Sequence, residues 1–341
     1  MTYQVAIAGV GAYLPTRVVT NVELEGVLDT TDEWIASHTG IRERRFVTDD
    51  VHMSDMAAAA ASQALAHAGS QAEEIDLVIC ASSTPDYLMP ATAAMVAHRI
   101  GATRAAAFDM EAACSGYVYA LVVASQFIKT GMYRKVLVIG GDLLSRFLNW
   151  NDRATAILFG DGCGAALLER AEAPGILAAR LGADGSGADH IVIPLGSRIP
   201  PGSEPGRHDV RMKGREVYRW AVNLVPRLVT ETCADAGWEL GDVDHLVLHQ
   251  ANLRILEAVA DRLQLPMDKL VVNIGRMANT SAGTIAVALA EAAAAGRFKP
   301  GDRLLLAGFG SGLTWAGVAL CWTIARPLPQ HEPTWLQAPR P

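Results

Sequence analysis

The sequence predicts an α/β protein made of two copies of one unit. Three observations predict it. Helical and strand patterns alternate along 341 residues, the pattern of packed α/β layers. Half of the residues are hydrophobic and 19% are charged, a balance suited to a compact chain long enough for two packed halves. Lastly, three separated segments repeat at one fixed offset.

The elements follow in chain order. Thr2–Gly9 lacks a basic n-region and reads as a first strand rather than a signal peptide. Residues 56–69 are Ala-rich and helical, and residues 75–81 are an apolar run short enough for a buried strand. A helix begins just after Cys114, and residues 136–140 form another strand. A helix over 221–237 and a strand over 243–248 then repeat the earlier pair. Gly69 aligns with Gly237, Ile75 with Val243 and Asp76 with Asp244, each 168 residues on (243 − 75). The same offset carries Ala120-Leu121 onto Ala288-Leu289, and strand 136–140 onto 304–308. It places Cys114 on Ala282, next to Asn279, so the two helix starts are expected to face each other across the centre. The expected units are 1–172, 173–325 and a Pro-rich tail, 326–341, expected to be poorly ordered.

Bulk properties exclude several function classes. A net charge of −7 argues against nucleic acid, which needs a basic footprint. The longest small-apolar run, 283–296, is broken by Glu291 and too short for a bilayer. The cysteines at 80, 114, 163, 233 and 321 have no metal-ligand spacing. Their scatter suits reduced thiols, and a cytoplasmic location with no membrane partner is expected.

Cys114 lies in Glu111-Ala-Ala-Cys-Ser-Gly116. Backbone N–H groups and the positive end of a helix dipole are expected to favour its thiolate, the nucleophilic form. A buried inert thiol is the competing reading, and it fits Cys80 and Cys321, which lie in apolar strands. Cys233 falls in a helical pattern and Cys163 in a Gly-rich turn. His249 opens a polar cluster, His-Gln-Ala-Asn, directly after an apolar strand. Strand ends of this kind line ligand crevices in α/β sheets, and histidine is the usual acid–base group near neutrality. Asn279 reads either as a helix cap or as an amide donor to a developing oxyanion. Gly308-Phe-Gly-Ser-Gly312 lets backbone approach a ligand, whereas Phe159–Gly164 lacks the ending of a phosphate loop.

These motifs together resemble the β-ketoacyl-[acyl carrier protein] synthase III family. They are Asp32–Ile35, Thr39–Arg44, Ala112–Gly116, Asp152-Arg153, Phe159–Gly162, His249–Arg254, Asn279–Ser281 and Gly308–Gly312. The resemblance runs from about residue 3 to 324. It implies a thiolase-like fold, with duplicated halves in a five-layer αβαβα arrangement, and a homodimer. It implies that Cys114 takes an acyl group from acyl-CoA as a thioester, with no permanently bound cofactor. His249 and Asn279 then hold the thioester oxygen of malonyl-acyl carrier protein while it loses CO2. The enolate attacks acyl-Cys114 and initiates type II fatty acid synthesis.

The resemblance also places Trp34 and Arg153 on either side of the coenzyme A adenine, Asn252 on the pantetheine arm, and His38 and Arg215 near the coenzyme. Met89, Leu144, Phe159, Phe309 and Ser311 fall in the substrate pocket. Lys213, Arg215 and Arg254 form the expected carrier-protein surface, with Arg276 nearby. His38 stands where many members have Arg, and Arg215 replaces a common Asn. Met89 replaces the Phe of acetyl-specific members, so a longer or branched primer is expected to fit. Three other readings stay open. One is starter-unit chemistry of a polyketide pathway. The others are acyl transfer or hydrolysis without decarboxylation, and a non-catalytic partner subunit.

Overall fold

A computed structural model describes residues 2–194 and 208–328; most of the Pro-rich tail therefore lies outside the described residues. Two sheets form the frame. The first has the strand order Gln4–Tyr13, Asp161–Ala171, Lys135–Leu143, Leu77–Ala81, Ala106–Met110. The second has Ile176–Ala183, Thr314–Cys321, Arg303–Gly310, His245–Leu248. A single bridge between Leu246 and Leu270 stands where the first sheet has its fifth strand.

The repeat seen in the sequence is present as register. Leu77 pairs with Val136 and His245 with Leu304, each position 168 residues on. Gly69 and Gly237 both have left-handed φ, 68° and 71°, near the ends of their helices. Asp76 and Asp244 each accept the N–H of the first residue of the neighbouring strand, Lys135 and Arg303. The halves then diverge. Lys135 pairs with Glu169 but Arg303 with Cys321, so the N-terminal connection is 16 residues longer (169 − 135 against 321 − 303).

Strand alternation explains the layers. Leu77, Ile79 and Val138 face a central core, while Val78, Cys80 and Ile139 face an outer one, because successive strand side chains point to opposite faces. The helices Met53–Ala68 and Thr92–Ile100 cover that outer face. The helices Gly116–Lys129 and Gly283–Ala294 fill the space between the sheets. The helices Gly214–Asp235 and Leu253–Leu263 cover the far face of the second sheet through Val225, Leu228, Leu256 and Val259. The order is helix, sheet, helix, sheet, helix: the five-layer αβαβα arrangement.

Two expectations change. The helix expected at 221 begins at Gly214, because its amphipathic stripe extends back through Val217. Cys163 is not in a turn but within the strand Asp161–Ala171, fully buried. The flanking glycines that suggested a turn serve packing instead: a Cβ on Gly164 would sit 2.6 Å from the Ala286 Cβ. Among the described residues, no helix is long and apolar enough to cross a membrane.

Candidate active site

The two central helices start at the same place. Ala113 (φ 47°) and Ser281 (φ 51°) are both left-handed non-glycine residues, 168 positions apart, and each is followed by a tight turn into its helix. Such a conformation disfavours a side chain and persists where the surroundings over-determine it. Glu111 secures the first turn by accepting the Ala113 N–H at 2.7 Å. Asn279 secures the second by accepting the Ser281 N–H at 2.8 Å through Oδ1. That bond leaves the amide Nδ2 as the outward donor. Asn279 caps a turn rather than the helix itself, whose N-cap is Ala282.

The turns bring Cys114 and Ser281 together, Sγ to Oγ 3.4 Å. Gly310 lies against the cysteine, where a Cβ would come within 2.8 Å of the Cys114 nitrogen. Asp142, at the end of its strand, ties the halves together. It accepts bonds from Ser82 Oγ, from the N–H groups of Ser83 and Thr84, from Thr84 Oγ1 and from the Ala282 N–H. Burial holds its carboxyl above the usual range. Asn279 is pinned by its backbone: its N–H donates to Leu158 O, and its carbonyl accepts from Gly160 N–H, both at 3.0 Å. That clamp belongs to the end of the longer N-terminal connection.

His249 follows the strand His245–Leu248, and its N–H donates to Ala307 O at 2.9 Å. The side chain is 2% exposed. Its Nδ1 lies 2.6 Å from Thr284 Oγ1, and Phe309 meets the ring edge-on at 5.0 Å. Burial pushes its basicity down to about 3, so the imidazole is neutral. Cys114 departs from expectation. Desolvation pushes its thiol up to about 12, ahead of the lowering by the Ser281 hydroxyl, and Asp142 and Glu111 push it further up. The helix dipole acts in the opposite sense on a group that burial has already made a reluctant anion.

Cys114, His249 and Asn279 line one cavity of about 580 Å³. Leu144, Phe159, Phe309, Ser311 and Asn252 line it too, with an apolar arc of Ile191, Ile193 and Val210. Met89 is not part of this wall; it is 85% exposed, beside Tyr87 and Leu88, which are. Trp34 and Arg153 lie outside the cavity. The Arg153 guanidinium sits 5.0 Å from the Trp34 ring centroid, with the Asp29 carbonyl as acceptor. Rather than flanking an open slot, the two are in direct contact. His38 stacks on Trp34 at 4.3 Å, held by a 2.8 Å bond between its Nδ1 and the Trp34 carbonyl.

The rim cations are mostly engaged. Lys213 is paired with Asp189 at 2.6 Å and Arg276 with Glu291 at 3.3 Å. Arg254 donates twice to the Ser37 carbonyl. Asn252 caps the helix Leu253–Leu263 and donates to the His38 carbonyl at 3.2 Å. Arg215 is exposed on the first turn of its helix. Sequence reading did not single out Asp142, Glu111, Ser281 or Thr284. Ser281 and Thr284 were within reach as neighbours of Asn279 one helical turn apart, while nothing local marks Asp142.

The geometry matches known proteins. Family models described as 3-Oxoacyl-[acyl-carrier-protein (ACP)] synthase III and its C-terminal part match residues 108–185 and 233–322. A β-ketoacyl-[acyl-carrier-protein] synthase III of Symbiobacterium thermophilum is 49% identical over 323 residues, 93% of this chain and 98% of that protein. The solved 3-oxoacyl-[acyl-carrier-protein] synthase III of Aquifex aeolicus is 42% identical with a TM-score of 0.88, covering 93% of this chain and all of that one. The priming β-ketosynthase of the R1128 polyketide pathway is 36% identical with a TM-score of 0.90, covering 95% and 97%. A chain with this duplicated frame and this Cys, His and Asn cavity belongs to the 3-oxoacyl-[acyl-carrier-protein] synthase III family of thiolase-like condensing enzymes.

Proposed function

We propose that this chain joins an acyl-CoA primer to malonyl-acyl carrier protein by decarboxylative condensation, initiating type II fatty acid synthesis. The observation that carries the reading is the meeting of a thiol, a neutral imidazole and a free amide donor in one largely apolar cavity. Cys114 attacks the acyl-CoA carbonyl, forms a thioester and releases coenzyme A thiol. Malonyl-acyl carrier protein then enters, and its thioester oxygen lies between His249 and Asn279. Loss of CO2 leaves negative charge on that oxygen, where two fixed donors in a dry site are most effective. The enolate carbon attacks acyl-Cys114, and the 3-ketoacyl product leaves with the thiol restored. Backbone N–H groups at Cys114 and in the 308–312 loop hold the tetrahedral oxyanion. A covalent intermediate implies ping-pong kinetics, and the reaction calls for no permanently bound cofactor.

Adenine binding at Trp34 requires Arg153 to swing off the ring, with Asn252 meeting the pantetheine arm. His38, stacked on Trp34, takes the place of a phosphate-binding Arg. Arg215, Lys213 and Arg254 face the acidic carrier protein, Lys213 after exchanging Asp189 for it. The halves divide near 172/173, between strands of the two sheets. The exposed run Tyr87-Leu88-Met89 comes a few residues after the strand Leu77–Ala81, whose continuation at Ser82 donates its N–H to Met110 O on the outermost strand Ala106–Met110. An exposed apolar run near a sheet edge supports a homodimer in which Met89 meets the acyl pocket of a second copy.

Intact-mass measurement after incubation with a panel of acyl-CoAs tests the reading. An acyl adduct on Cys114 and labelled CO2 release from malonyl-acyl carrier protein are expected. Acylation without CO2 release would favour simple acyl transfer. A Cys114 no more reactive than Cys80 towards iodoacetamide would favour a non-catalytic subunit. Adducts from isobutyryl- or butyryl-CoA, and not acetyl-CoA alone, are expected from Met89.

A further inference from the structure

His249 has to donate a hydrogen bond to the enolate oxygen, and a neutral imidazole carries only one ring proton. If that proton sits on Nδ1, the other nitrogen is a lone pair and repels the developing charge. Something must decide between the two tautomers, and the partner of the inner nitrogen is what usually decides. Here that partner is Thr284 Oγ1 at 2.6 Å. The hydroxyl has one hydrogen and two acceptors in reach, His249 Nδ1 at 2.6 Å and the Ser281 carbonyl at 3.1 Å. Both side chains are about 2% exposed, so water does not compete for the bond.

We propose that Thr284 is a positioning residue that donates its hydroxyl proton to His249 Nδ1 and so keeps the ring proton on Nε2, facing the thioester oxygen. The shorter of the two contacts is the one to the imidazole. Phe309, edge-on at 5.0 Å, limits ring rotation, and the polar contact at Nδ1 fixes which way round the ring sits. The position is also asymmetric between the halves. Its counterpart 168 residues earlier is Gly116, where an added Cβ would come 3.1 Å from the Ala81 Cβ. At this second position of the helix, a hydroxyl is thus found in the half that carries His249. The proposal rests on the condensation reading for its role, though the tautomer itself can be read without it.

The test uses the full-length protein with 15N-labelled histidine, plus the variants Thr284→Val and Thr284→Ser. NMR of the wild type is expected to show His249 protonated at Nε2 and unprotonated at Nδ1. In Thr284→Val, acylation of Cys114 by acyl-CoA is expected to stay within about twofold, while CO2 release from malonyl thioester falls roughly 10- to 100-fold. Thr284→Ser is expected to restore release. A wild-type ring protonated at Nδ1 overturns the proposal, as does undiminished CO2 release in folded Thr284→Val or failure of Thr284→Ser to rescue. A wild type that never forms acyl-Cys114 sinks the condensation reading instead, and the NMR arm still reads the tautomer. If Thr284→Val does not fold, the wild-type spectrum and Thr284→Ser decide the matter.

Discussion

The two helix starts at the centre share a backbone and differ in chemistry. Ala113 and Ser281 adopt the same left-handed turn, 47° and 51°, at the same offset. One turn presents a thiol. The other is followed by alanine, and its function sits just before and after it, in Asn279 and Thr284. The side chain that secures each turn differs as well: the Glu111 carboxylate accepts the Ala113 N–H, whereas the amide oxygen of Asn279 accepts that of Ser281. The duplicated frame supplies two corners of equivalent backbone. In the proposed reaction, divergence at a few positions makes one a covalent acceptor and the other an enolate holder. The dividing element is the longer connection after Lys135–Leu143, whose Leu158–Gly160 end clamps Asn279.

The sharpest break of this comparison is to remove one corner at a time. Cys114→Ala is expected to abolish the acyl adduct and condensation, while malonyl decarboxylation continues; intact mass and CO2 release separate the two. Asn279→Ala is expected to do the reverse, with normal acylation and decarboxylation reduced about 10²- to 10³-fold. If both variants lost both half-reactions equally, the division of labour between the corners would be wrong.

Gly310→Ala comes next. Its Cβ would meet the Cys114 backbone at 2.8 Å, and the cysteine corner must shift. Slower acylation is expected, with a stability loss of about 1–3 kcal/mol from overpacking, read from chemical denaturation. Decarboxylation at the other corner is expected to change less.

pH separates the corners without mutation. The Cys114 thiol, pushed up to about 12, stays mostly protonated, so alkylation by iodoacetamide is expected to keep rising from pH 6 to 9. His249, pushed down to about 3, stays neutral over that range, so decarboxylation is expected to be flat. A histidine titration near pH 6.5 in the decarboxylation profile would contradict the burial of His249.

The smallest effect concerns Glu111, an exposed residue on the cavity wall whose carboxyl is nonetheless crowded by surrounding atoms, and this desolvation, with Asp142 nearby, raises it to about 7 against an ordinary 4.5. Between those values the folded state holds the proton more tightly than the unfolded one. That stabilisation is complete below about 4.5 and is lost as pH rises through 7. Glu111→Gln does not titrate, so its melting temperature relative to wild type is expected to climb between pH 5 and pH 8.

Much of this was legible in the chain. Strand alternation and apolar helix faces are local patterns, and the 168-residue offset holds because insertion fell in connections and spared the paired strands. Cys114, His249 and Asn279 stood out because each follows a strand or precedes a helix in an unusual run of residues. Cys163 misled because glycines that permit close packing of a strand look like a turn when the packing partner, Ala286, lies more than a hundred residues away.

The resemblance implied the layers, while the sequence by itself determined the repeat and marked Cys114, His249 and Asn279 as candidates, because period, spacing and residue chemistry are carried by neighbours along the chain. The tertiary structure alone decided their electrical state and orientation. Burial, which made the Cys114 thiol a weak acid and His249 a neutral ring, is set by residues distant in the chain, Ser281 and Gly310 beside Cys114 and Thr284 and Phe309 beside His249. So is the Leu158–Gly160 clamp on Asn279. The contact between Thr284 and His249 Nδ1 spans 35 residues, from a helix between the sheets to the end of a strand, and only their packing brings the two atoms together.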